Sequence, residues 1–152
     1  MSDPFIALTA DAASDRLAGV LTDLFRTNLT YWYTASAFHW NTVGYDFPEF
    51  HALFGEVYEI AEGEIDALAE WIRRFDNDVP QAVQTVGYEG GMVKDFVEGV
   101  QILLEMTETF ILSLKDACTV AENLNEQGLL NYLAGLIDVH QKLRWKFRSI
   151  LA

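Results

Sequence analysis

The chain has 152 residues, half of them apolar, enough for a single domain over residues 1–152 with a sizeable core. Its 23 acidic and 10 basic residues give a formal charge of −13, which argues against a surface that neutralises nucleic-acid phosphates. No apolar run approaches the ~18 residues of a membrane span, no basic region followed by an apolar run opens the chain, and the lone Cys118 excludes an intrachain disulfide framework and fits a reducing cytoplasm.

The first predicted helix runs from Asp11 or Ser14 to Asn41, with Leu17, Leu21, Leu24, Leu29, Trp32 and Ala35 at helical spacing. Tyr31, Trp32, Tyr33, Phe38 and Trp40 crowd its last turns, a cluster typical of core or interface packing. His39 closes the helix on the side of Trp32 and Ala35.

Asp46-Phe47-Pro48-Glu49 reads as a helix start, with an acidic N-cap, a proline in the first turn and a glutamate three residues on. The helix continues to about Arg74, because no further proline occurs before Pro80. Around it, Phe47, Phe50, Phe54, Val57, Tyr58, Ala61, Ile65, Leu68 and Ile72 fill one arc of roughly 100° and form the packing face. His51, Glu62, Gly55, Asp66, Glu59 and Glu70 fill a second arc of about 100°, with four acids and no base. Acids alone would make this a solvated stripe. His51 at its head, and His39 twelve residues earlier, supply nitrogen donors to set beside the oxygens, which is a metal-ligand combination.

One chain cannot close such a site. His51 and Glu70 lie nineteen residues apart, about 28 Å along a helix. A second copy packed antiparallel about a two-fold axis sets His51 against Glu70, Gly55 against Asp66 and Glu59 against Glu62, and makes two equivalent sites per dimer.

Residues 75–91 read as a long connection in which Pro80-Gln81-Ala82-Val83 form one short helical turn. A third helix, about Val93 to Ala121, buries Phe96, Val97, Val100, Ile102, Leu103, Met106, Phe110 and Leu114. Cys118 within it reads as a small buried hydrophobe. Residues 123–128 break the pattern, and a fourth helix from about Leu129 to Leu151 repeats Leu130, Leu133, Leu136, Ile137, Leu143 and Phe147. The fold class is all-α: a four-helix bundle with one long crossover.

His39-Trp40-Asn41, Gly44, Phe47, His51, Phe54, Tyr58, Asp66 and Ala69-Glu70 together resemble the signature of the Dps family of mini-ferritins. His140-Gln141-Lys142 with Trp145 resembles that family's closing pattern, so the similarity covers nearly the whole chain. The resemblance implies a ferritin-like bundle whose crossover helix lies at the dimer interface, in subunits that assemble into a hollow shell of twelve. It also implies a ferroxidase centre between two-fold-related chains, with His39 and His51 from one and Asp66 and Glu70 from the other. Fe(II) would be oxidised there by hydrogen peroxide or dioxygen and stored as a ferric mineral, protecting against oxidative damage. Zinc suits the same nitrogen and oxygen donors. Trp40 would lie near the metal and accept oxidising equivalents, a role that Trp40→Phe tests by changing oxidative damage without changing iron uptake.

Other positions are read against the same family. Residues 1–15 hold Asp3, Asp11 and Asp15 and no Lys or Arg, unlike the basic tail that holds DNA in many Dps-like proteins, so DNA binding is not expected. Lys142, Arg144, Lys146 and Arg148 complement a helix C-terminus instead. None of the three histidines has a glutamate three residues before it, so the within-bundle site of larger ferritins is absent, and His140 reads as structural. Glu122 and Glu126 fall where similar proteins line pores with acids, and Asn131 stands where the family often has Asp. Gly55 replaces a usual aspartate, and Trp71 a usual arginine. Glu59, Glu62 or a water would then serve at the vacated ligand place. The alternative function is a metal-sequestering cage with an impaired ferroxidase centre.

Overall fold

The computed structural model describes residues 4–83 and 86–152; residues 1–3 of the acidic N-terminal stretch and residues 84–85 of the crossover lie outside them. The described residues form four α-helices and no strand: α1 (Pro4–Asn41), α2 (Phe47–Arg74), α3 (Phe96–Asn123) and α4 (Gln127–Leu151). Short turns at residues 42–46 and 124–126 fold α1 onto α2 and α3 onto α4 as antiparallel hairpins, and α1 also packs against α3.

Local sequence explains the helix ends. α1 begins at Pro4, earlier than the expected Asp11 or Ser14, because proline suits a first turn and no helix breaker intervenes before Gly19. α2 keeps its expected span, but the side chain of Asp46 caps nothing; the entry is closed by backbone bonds from Phe47 N–H to Gly44 O (3.1 Å) and from Phe50 N–H to Asp46 O (3.2 Å). Gly44, at φ +108°, makes the reversal that only glycine adopts easily. At the head of α3 the Asp95 carboxylate accepts from Val97 N–H at 2.8 Å. Asp95→Ala is expected to cost about 1 kcal/mol in denaturant-induced unfolding through loss of that cap.

The short helical turn expected at residues 80–83 does not form, and the described part of the crossover is irregular. Residues 75–95 must climb back along α2, whose 28 residues span about 42 Å. Extended chain covers that distance with residues to spare at about 3.3 Å per residue, so reach does not forbid the turn; four residues alone do not offset the cost of nucleating a helix. Gly87 pins the strap: at φ +107°, it lies so close that a Cβ would stand 2.6 Å from the Tyr33 ring.

The interior is divided in two. Leu21, Leu24, Leu68, Ile72, Phe110, Leu114, Leu129 and Leu133 fill one half. Ala35, Phe38, Phe54, Val57, Ala61, Leu103, Leu143 and Phe147 fill the other. At the junction every helix contributes a buried polar side chain, among them Asn28, Glu64, Thr107 and His140. His140 Nε2–H donates to both carboxylate oxygens of Glu64, at 2.8 and 2.9 Å. Asn28 donates to Ala61 O at 3.0 Å, and the Tyr31 and Thr107 hydroxyls bond at 2.8 Å. Burial pushes the Tyr31 phenol far above its ordinary range, so it remains an O–H group.

Candidate metal centre

His39 lies in the last turn of α1 and His51 in the second turn of α2, brought together by the Gly44 reversal. Each ring reaches the other's backbone. His39 Nδ1 lies 2.6 Å from His51 O, and His51 Nδ1 lies 2.9 Å from His39 O. A carbonyl only accepts, so both Nδ1 atoms carry hydrogen, and in the neutral ring the lone pair then lies on Nε2. That is the tautomer a metal needs at Nε2, fixed here by the main chain. The His39 carbonyl is one of the unpaired acceptors at the end of α1, which is why it is available.

The imidazoles stack with centroids 3.6 Å apart and planes 22° apart. Phe47 covers the other face of His51 at 4.6 Å, and Tyr58 meets His39 edge-on at 5.1 Å. Planes this nearly parallel do not cross near either ring, so the two in-plane lone pairs do not converge on one point. Both histidines are half-buried and open on one side to the surroundings.

The oxygen donors stand elsewhere. Glu59, Glu62, Asp66 and Glu70 are all exposed along α2, and among the described residues no three His, Cys, Asp or Glu side chains gather. The pair of imidazoles is thus assembled within the chain and the acids are not brought to it. Gly55 is buried beneath His39. Trp40 is largely exposed and packs edge-on against Tyr33 at 6.1 Å. Trp71 stacks on Phe75 and carries the Arg74 guanidinium 4.2 Å over its ring. Glu122 is exposed and Glu126 half-buried at the α3–α4 turn. Burial raises the Cys118 thiol, with Glu122 adding to the shift, which disfavours a reactive thiolate.

Sequence reasoning leaves out Glu64. His140, expected to be structural, is paired with it in the core. The signal was present in the spacing: Val57, Ala61, Glu64 and Leu68 alternate four- and three-residue steps on one buried face, as do Leu136, His140, Leu143 and Phe147.

Residues 19–152 match the family model of the ferritin-like domain. An uncharacterised low temperature-induced protein of Nostoc sp. is 28% identical over 121 residues, covering 75% of this chain and 68% of that one. DNA protection during starvation protein 2 of Bacillus anthracis is 25% identical over 120 residues, covering 75% of this chain and 82% of that one. The crystal structure of the Dps protein of Vibrio cholerae O1, described as a member of a superfamily of ferritin-like diiron-carboxylate proteins, superposes with a TM-score of 0.88 at 23% identity, over 93% of this chain and 92% of that one. The chain belongs to the ferritin-like family, with the fold of solved Dps proteins and a sequence similar to that of a Dps protein. No described helix is long and apolar enough to cross a membrane.

Proposed function

We propose that the chain oxidises and stores iron, with its active centre formed between two copies, in a hollow shell of twelve within a reducing cytoplasm. The observation that carries this reading is the pair of imidazoles, each locked by the other's carbonyl with Nε2 free. Because the ring planes do not converge, each imidazole serves its own ferrous ion, and two metals side by side is the arrangement that such planes favour. Asp66 and Glu70 of a second copy supply hard oxygen donors, which favour the ferric product. Glu59, one turn beyond Gly55 on α2, or Glu62 of the second copy opposite it serves as an additional donor. Two ferrous ions give up one electron each, and with two protons one hydrogen peroxide becomes two waters. Both ingredients of hydroxyl-radical chemistry are consumed together.

Native mass measurement combined with metal analysis after Fe(II) exposure tests the reading. A closed multiple of the subunit mass that retains iron is expected; a monomer, or an assembly free of iron, would sink it. Gly55 favours a second reading, a cage that sequesters metal with little turnover, and ferric absorbance after peroxide addition separates the two. The acidic balance of the chain supports an assembly that leaves DNA alone. No retardation is expected in a gel shift at low salt, where phosphate contacts are strongest.

A further inference from the structure

We infer that Gly55 is a positioning residue, whose missing side chain makes the socket that holds the His39 imidazole in the iron centre. The inference rests on the proposed function for its chemical consequence, and on geometry alone for the socket. Phe47, His51 and Gly55 follow one another at four-residue steps, so their side chains would form one stripe along α2. The Phe47 and His51 rings stack in that order, and the third place is filled by the ring of His39, which comes from α1. A Cβ built on Gly55 would stand 3.2 Å from both Cε1 and Nδ1 of that ring.

The ring has little room to retreat. Its face lies against His51, which Phe47 backs in turn, and Tyr58 stands at its edge. Its Nδ1 is held to His51 O at 2.6 Å. A side chain at position 55 therefore pushes the His39 ring a few tenths of an ångström out of this pose, against contacts that hold it in place. The place of the absent carboxylate is not vacant on this chain, because an imidazole from the neighbouring helix already stands there. Restoring an aspartate adds an oxygen donor but disturbs the orientation of the ring that supplies a nitrogen donor.

Helix propensity makes the test sharp. Glycine within a helix is disfavoured relative to alanine, so with no socket Gly55→Ala raises the melting temperature. The socket reverses that sign. In the metal-free full chain, Gly55→Ala is expected to lower the melting temperature, and in the His39→Ala background, where the socket is empty, to raise it. A rise in both backgrounds overturns the inference whatever the metal results. Cobalt(II) titration, followed by visible absorbance, gives the second measurement. Gly55→Asp is expected to weaken Co(II) binding about tenfold or more, as loss of ligand orientation does elsewhere. Binding by Gly55→Asp as tight as or tighter than the parent's overturns the inference as well. If the sign reversal is seen but the parent chain binds no Co(II), the socket stands and the iron-centre reading falls.

Discussion

His51→Ala is expected to lower the rate of ferric absorbance, after peroxide is added to anaerobically iron-loaded protein, by about 100-fold, the upper end for disrupting a metal site. His51 is lost as a ligand, and with it the carbonyl-bound ring that stacks on His39 and the donor that holds the His39 carbonyl. Asp66→Ala is expected to do the same although Asp66 lies about 22 Å down α2 from His51. Mixing the two variants gives the decisive result. A dimer with one chain of each kind has one centre damaged on both sides and one intact centre, since the isologous interface sets the unaltered His51 against the unaltered Asp66. Random reassembly makes half of the dimers mixed, so roughly a quarter of the parental rate should return. If the mixture stays as inactive as its parts, Asp66 does not act across the interface and the two-chain centre is wrong.

Glu64→Ala is expected to destabilise the folded chain by about 3–5 kcal/mol, measured by denaturant unfolding of the metal-free protein. The carboxylate leaves behind an imidazole that is fully buried and whose Nδ1 has no partner among the described residues either. His140→Ala is expected to cost a similar amount for the converse reason, a carboxylate stranded in a region that water does not reach. Replacing both, as Glu64→Met with His140→Leu, removes the stranded group and should return stability to within about 1 kcal/mol of the parent. Additive losses in the double variant would mean that the pair contributes by packing alone. The polar layer is then a device of alignment more than of strength: each helix must place one particular turn at the same level for Asn28, Glu64, Thr107 and His140 to meet their partners.

Much of this was legible in the residues. The span of α2 followed from Pro48 at its head and the apolar stripe from Phe54 to Ile72, and the structure keeps both. His39 and His51 were paired on spacing and resemblance, and the structure stacks them. The break between α3 and α4 is narrower than Asn123 to Gly128 implied, because Asn125 alone takes the left-handed conformation that ends the helix. The crossover turn does not form because four residues around Pro80, helical in pattern, are too few to offset the cost of nucleating a helix. Glu64 escaped because an acid among acids on α2 reads as surface; only its step from Ala61 and Leu68 distinguishes it. Gly55 reads only as a lost carboxylate, since the ring that covers it comes from a different helix.

The two hairpins divide the labour unequally. Every nitrogen and oxygen proposed to meet iron, from His39 to Glu70, is encoded before the crossover. The later hairpin contributes mass, a buried partner for Glu64, and the far wall of the interior. Substitutions after Asp95 should therefore alter how firmly the machinery is gripped while leaving its composition untouched, and a search for altered chemistry belongs in the first half of the gene.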